Sequence, residues 1–126
     1  MLVVEVVHST DPANVSRVLA ALEELDAVYR AQPDLRLRPA ASHLSSAGHQ
    51  LLLTRLGPLD LLGSIGNGRT NPDLLMHTVE LKAGPSLSFK VLDLETQIAV
   101  KEEVGGEKDR AALPILRRTL EERRKV

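Results

Sequence analysis

Residues 51–63 read LLLTRLGPLDLLG and contain the clearest structural signal of the sequence. Two short apolar runs flank Gly57-Pro58, a dipeptide that is typical of turns. Apolar runs of this length on either side of a turn signal predict a β-hairpin over residues 50–63. The second of these strands carries one carboxylate, Asp60, among leucines.

A strand and a helix are expected before the hairpin. Residues 2–8 are rich in β-branched side chains and are interrupted only by Glu5, which predicts a buried strand. Asp11 and Pro12 are typical of a helix start, and apolar residues at helical spacing continue the helix to about Ala27. Prolines and serines in residues 29–48 predict a loop with a short helical turn near residues 40–45.

Five further elements are expected after the hairpin. Pro114 lies within the last of them and should kink that helix or mark its true start. The elements are a short helix from Thr70 or Asn71 to about His77, strands at 79–82 and 86–92, a helix from the cap Asp93 to the stop Gly105-Gly106, and a last helix at 108–124.

The order of these elements, β-α-loop-β-β-α-β-β-α-α, predicts the α+β class. We expect one domain over residues 1–126, with a mixed, mostly antiparallel sheet and helices packed on one face. An apolar fraction of 43% and a charged fraction of 26% are ordinary for a globular chain. The core must be largely aliphatic, because Phe89 and Tyr29 are the only aromatic residues.

Composition also excludes several function classes. A formal net charge of −1 and the scarcity of aromatic rings argue against a nucleic-acid partner. The absence of cysteine excludes disulfides, thiolate catalysis and cysteine-rich zinc sites, and it fits a reducing compartment. No apolar run approaches the roughly 20 residues that span a bilayer, and the first residues lack the basic leader of a signal peptide. We therefore expect a cytoplasmic protein with no membrane partner.

Asp60 is the most informative single residue. A carboxylate in an apolar strand requires a metal, a cationic partner or a water-facing edge position, because an unpaired buried charge is costly. Glu5 raises the same question between Val4 and Val6. If the two strands are neighbours, Glu5 and Asp60 converge, and such hard oxygen ligands suit magnesium. The alternative is a solvent-facing residue or a structural ion pair.

A second candidate cluster consists of Lys101, Lys108 and Asp109, around the predicted Gly105-Gly106 stop. A lysine that faces a cleft can hold a phosphate as a point charge. The alternative is a solvated helix end, which is common. The glycine-rich loop at residues 63–68 matches no phosphate-binding fingerprint and is better interpreted as a connector, and the four histidines have no metal-ligand spacing.

Three segments together resemble the bacterial nucleotidyltransferase-like proteins, relatives of the AbiEii toxins and the minimal nucleotidyltransferases. Residues 54–63, TRLGPLDLLG, resemble their central hairpin. Residues 91–110, VLDLETQIAVKEEVGGEKDR, resemble their closing helices. Residues 11–22, which begin DPANV, resemble the helix after their first catalytic strand.

The resemblance implies a polymerase-β-like fold. Active members transfer a nucleoside monophosphate from a nucleoside triphosphate to an acceptor, with magnesium held by three carboxylates. Asp60 occupies the place of the third carboxylate, and the paired aspartates of the first strand fall on Val3 and Glu5. Valine cannot ligate a metal, and the Gly-Ser element that precedes the first strand in the family has no counterpart in this sequence.

Three hypotheses follow. The first is a degenerate, non-catalytic nucleotidyltransferase-like protein that binds a nucleotide or acts as an antitoxin-like protein partner. The second is an active magnesium-dependent nucleotidyltransferase that uses Glu5 and Asp60, with Lys101, Lys108 and Asp109 toward the nucleoside triphosphate, and is completed by another subunit. Because an exposed edge strand invites pairing, that subunit could be a second copy in a homodimer. The third is an unrelated α+β interaction domain.

Overall fold

The structure, a computed structural model, describes residues 2–124, which form two compact units that meet in sequence between Asn71 and Pro72. The first unit contains β1 (Val4–Val7), α1 (Pro12–Glu24), β2 (Val28–Tyr29), a 3-10 turn (Pro33–Leu35), α2 (Ala41–Leu44), β3 (His49–Thr54) and β4 (Gly57–Leu62). A short helix, α3 (Asn71–Leu74), crosses the boundary and continues into a 3-10 turn (Leu75–His77). The second unit contains β5 (Thr78–Lys82), β6 (Ser88–Leu92), α4 (Leu94–Val104) and α5 (Glu107–Arg124).

A mixed four-stranded sheet organises the first unit, in the order β1-β4-β3-β2. β1 runs parallel to β4, whereas β4, β3 and β2 pair antiparallel. The predicted hairpin is confirmed as β3 and β4, with Leu52 opposite Leu59. The turn itself falls at Arg55-Leu56 and not at the predicted Gly57-Pro58, because Gly57 and Pro58 already pair with β3 as the first residues of β4. The α+β class and the mixed sheet are confirmed with it.

The strand β2 lies where a loop was predicted from residue 29 onward. It forms through contacts with distant segments: the Tyr29 N–H donates to the Leu37 carbonyl at 2.8 Å, and the Arg30 N–H donates to the Leu51 carbonyl at 3.0 Å. A strand of two residues, Val28–Tyr29, is too short to show the alternating pattern by which strands are recognised in a sequence. The expected helical turn near residues 40–45 is confirmed as α2.

The core of the first unit is aliphatic and lies between α1, α2 and one face of the sheet. Its fully buried members include Leu44 and Leu52, each with no exposed surface. Because side chains alternate along a strand, residues adjacent to the core-facing ones point to the opposite face. The core cluster consists of Val15, Leu22, Ala27, Leu44, Leu52 and Leu61, with Val18, Leu19, Tyr29 and Leu59 packed against it.

Helix α1 begins as predicted, with Asp11 at the N-cap and Pro12 in the first turn, although the Asp11 side chain makes no capping hydrogen bond. The helix ends at Glu24, earlier than the predicted Ala27, because Asp26 adopts a left-handed conformation with φ 51°. Hydrogen bonds from Arg36 and then Arg38 lower the pKa of the exposed Asp26 carboxyl.

The second unit consists of the β5–β6 hairpin and two helices. The carboxylate of Asp93 accepts the Thr96 N–H at 2.8 Å and caps α4, and hydrogen bonds from the Thr96 hydroxyl and N–H lower the pKa of that carboxyl. Gly105, with φ 64°, ends α4 as predicted. The interpretation of Pro114 as the start of the last helix is wrong, because α5 already begins at Glu107. Within residues 2–124, no helix is long and apolar enough to cross a membrane.

Candidate functional site

Glu5 and Asp60 lie side by side on neighbouring strands. β1 and β4 are parallel, and their register places Glu5 directly beside Asp60. Neighbouring strands lie about 4.8 Å apart, and register partners share a face of the sheet. The two carboxylates predicted to converge are therefore brought together.

The face that carries this pair is the one opposite the core of the first unit. Asp60 lies between Leu59 and Leu61, both of which contact the core cluster, so its side chain points the other way. The two acids differ in exposure: Asp60 is 9% exposed, whereas Glu5 is exposed. Asp60 is thus the member of the pair that requires a partner.

That partner is Arg30, which directly follows β2. One terminal nitrogen of its guanidinium donates to Asp60 Oδ1 at 2.9 Å, and the other donates to the Leu52 carbonyl at 3.0 Å. The backbone N–H of Arg30 bonds the Leu51 carbonyl, which fixes the base of the side chain. Of the three reasons considered for Asp60, the structure shows a cationic partner, and the edge position is excluded because β4 lies inside the sheet.

The donor set around Asp60 does not fit a site of three carboxylates. Val3, on the same strand as Glu5, offers only hydrocarbon, and one oxygen of Asp60 already accepts from Arg30. Glu5, Asp60 and Arg30 together carry a formal charge of −1. Among residues 2–124, no group of three or more histidine, aspartate or glutamate side chains is placed to hold a metal ion.

The second predicted cluster lies in the other unit, at the junction of α4 and α5. Lys101 Nζ and Asp109 Oδ1 are 3.3 Å apart, and both side chains are partly buried, at 34% and 22% exposure. This ion pair spans the turn that Gly105 forms. Lys108, by contrast, is exposed. Lys101 and Asp109 therefore have a local structural role that accounts for their proximity.

Steric packing accounts for the first glycine of the loop at residues 63–68. A Cβ on Gly63 would lie 2.1 Å from the Ser46 carbonyl oxygen and 2.8 Å from Ala47 Cα. The Gly63 N–H donates to the Gly48 carbonyl at 2.9 Å, so the end of β4 packs against this segment. These contacts agree with the interpretation of the loop as a connector.

Sequence reasoning did not identify three polar side chains of the first unit. Besides Arg30, the Tyr29 hydroxyl donates to Gln50 Oε1 at 2.6 Å, and burial raises the pKa of Tyr29. His8, at the carboxyl end of β1, is buried, and its Nε2 has no hydrogen-bond partner within the described residues. A signal for Arg30 existed, because a buried Asp60 requires a cation, but the sequence does not indicate which cation.

Comparisons with protein-family models, with curated proteins and with solved structures find no match to this chain. The residues and their geometry therefore carry the functional argument.

Proposed function

We propose that this chain is a nucleotidyltransferase-like domain that has lost metal-dependent transfer and acts by binding, either of a nucleotide or of a protein partner in an antitoxin-like role. The observation that carries the proposal is the hydrogen bond from Arg30 to Asp60. The carboxylate that would serve as the third metal ligand is used to neutralise a guanidinium in a largely buried position.

The energetics favour this structural role for Asp60. A hydrogen bond between charged groups contributes about 1.5–3 kcal/mol, and a cation at Asp60 has to compete with it. Magnesium also demands near-ideal octahedral geometry and dehydrates reluctantly. Glu5, with Val3 in place of an aspartate, supplies only one more carboxylate from β1.

The same geometry favours one alternative. Glu5 and Asp60 are register partners, and magnesium is commonly bound through one or two carboxylates together with substrate phosphates. An active magnesium-dependent nucleotidyltransferase would then require further ligands from another subunit. In that case the Arg30 guanidinium would compete with the metal for the charge of Asp60, so its removal should strengthen metal binding.

Nucleotidyl transfer itself discriminates between the two. The chain is incubated with labelled nucleoside triphosphates and magnesium, alone and with cell extract as a source of acceptors. The proposal expects no label above that of Asp60→Asn, and no gain in Arg30→Met. Arg17→Met, at an exposed position on α1, is the control variant. Magnesium-dependent labelling that Asp60→Asn abolishes and Arg17→Met leaves unchanged would establish the alternative and refute the loss of catalysis.

A further inference from the structure

Strand β1 has one open side. It is the terminal strand of the sheet, and the His8 N–H donates to the Leu62 carbonyl at 3.3 Å. In a parallel ladder, alternate residues direct both N–H and C=O to the same neighbour. Since His8 faces β4, so do Val4 and Val6, whereas the backbone groups of the odd-numbered residues face away from the sheet.

The opposite edge of the sheet is protected, which makes the open side of β1 distinctive. At β2, the Tyr29 N–H donates to the Leu37 carbonyl, so the returning chain covers that edge. Arg36 and Arg38 hold this returning segment through their ion pairs with Asp26. Uncovered edges are the part of a sheet on which another strand pairs.

The open row of β1 is short. The side-chain amide of Asn71 donates to the Val7 carbonyl at 3.1 Å and so caps the outward carbonyl at the end of the strand. Within residues 2–124, no outward backbone hydrogen bond is found at Glu5 or at Val3, which directly precedes β1, so these two residues are the complete pairing positions of this edge. Val3 and Glu5 are separated by Val4, and an added strand must place its own N–H and C=O groups opposite these two residues, which limits its register.

We infer that β1 pairs antiparallel with β1 of a second copy of this chain, about a two-fold axis at Val4. In this register, Val3 of one copy lies opposite Glu5 of the other, and each such pair exchanges two hydrogen bonds. An axis at Glu5 would instead set two carboxylates opposite each other, which is destabilising, and it would require the Val7 carbonyl that Asn71 already occupies.

The side chains of β1 suit this register. Leu2 is 96% exposed, Val4 63% and Val6 41%, although Val4 and Val6 pair with Leu59 and Leu61 on the core side of the sheet. Around an axis at Val4, each Leu2 meets the other copy's Val6 and the two Val4 side chains meet each other. The apolar side chains of Leu2, Val4 and Val6 therefore pack against the same three side chains of the second copy, as a two-fold interface requires.

Stable interfaces bury roughly 1,200–2,000 Å², and a strand pairing of about five residues buries much less surface than that. We therefore expect a reversible dimer with a dissociation constant on the order of 10–100 µM. The inference stands whether or not the domain retains nucleotidyl transfer, because it rests on the backbone edge and not on the carboxylates.

Sedimentation of the full chain over a range of concentrations tests the dimer. The wild type should pass from monomer to dimer, and Val4→Lys should shift the dissociation constant upward at least tenfold, because two ammonium groups would then meet at the axis. Leu35→Lys is the matched control: Leu35 is also exposed, at 61%, but follows the covered strand β2, and this variant should dimerise as the wild type does. Circular dichroism checks that each variant is folded.

Cross-linking tests the register. The chain contains no cysteine, so Val4→Cys should give a covalent dimer under mild oxidation, whereas Leu2→Cys and Val6→Cys should cross-link only when mixed. A wild type that stays monomeric to about 1 mM overturns the inference, because that concentration is at least tenfold above the expected dissociation constant. So does a dimer unaffected by Val4→Lys, or Val4→Cys cross-linking no faster than Leu35→Cys.

Discussion

Arg30→Met should destabilise the first unit far more than a surface substitution does. Methionine keeps the apolar stem but removes the hydrogen bonds to Asp60 and to the Leu52 carbonyl. The Asp60 side chain is 13% exposed, so its charge is left largely buried without a cation. Breaking a fully buried pair costs about 3–5 kcal/mol, and the 25% exposure of Arg30 reduces the expected loss to about 2–3 kcal/mol.

Urea unfolding followed by the fluorescence of Tyr29 measures this loss. Tyr29 is the only tyrosine of a chain without tryptophan, and its hydrogen bond to Gln50 places it in the first unit, so the signal reports that unit alone. At roughly 4–8 °C per kcal/mol for a unit of this size, the thermal midpoint should fall by at least about 8 °C. Arg17→Met, at an exposed position on α1, is the control and should change stability by less than about 0.5 kcal/mol.

The double variant completes the cycle. When Asp60→Leu is combined with Arg30→Met, both charges of the ion pair are removed and neither is left buried alone. The losses of unfolding free energy in the two single variants should therefore not add in the double variant. We expect a coupling free energy of about 1–2 kcal/mol. A coupling near zero, or an Arg30→Met variant as stable as Arg17→Met, would refute the ion pair as the reason for a carboxylate at position 60.

Three further substitutions test the packing and the caps. Gly63→Ala should destabilise the first unit by about 1–3 kcal/mol in urea unfolding, because its Cβ meets the Ser46 carbonyl. Gly48→Ala, in the same unit, meets no atom closer than the Ser46 hydroxyl at 3.3 Å and should cost clearly less; equal effects would refute the steric account. Leu52→Ala should cost about 2–5 kcal/mol by the same assay and Leu56→Ala, at 75% exposure, almost nothing; comparable losses would place Leu52 outside the core. Asp93→Ala should cost about 1 kcal/mol at pH 7 in thermal unfolding followed by circular dichroism. The folded pKa of Asp93 is lowered, so its stabilisation is present above the unfolded pKa near 3.9 and is lost as the pH falls through the folded pKa; a difference that persists unchanged at pH 2 would contradict this.

Local signals in the sequence predicted much of the fold. The two apolar runs around Gly57-Pro58 located the β3–β4 hairpin to within two residues of its turn, and Asp93 with Gly105 located both ends of α4. These elements are encoded by neighbouring residues, so a single sequence reveals them. β2 is different: a two-residue strand depends on its bonds to Leu37 and Leu51, which only the folded chain brings close.

The candidate site shows the same division. The apolar context of Asp60 indicated that this carboxylate needs a partner, and a neighbouring strand made the approach of Glu5 a reasonable expectation. The identity of the partner depends on the antiparallel pairing of β2 with β3, which brings Arg30 to Asp60 across 30 residues of sequence. The sequence around Asp60 therefore predicts that a cation is needed, whereas the strand order of the folded sheet determines that this cation is Arg30.

Thermal unfolding with and without magnesium and ATP tests the claim that Asp60 serves as the partner of Arg30 and holds no metal. A ligand that binds only the folded state raises the midpoint by an amount set by its concentration relative to its dissociation constant. The account predicts that millimolar magnesium leaves the Tyr29-monitored midpoint of the wild type unchanged, and that any rise with ATP is the same with and without magnesium. A magnesium-dependent rise that Asp60→Asn abolishes would contradict it and would show that the carboxylate pair still holds a nucleotide-bound metal.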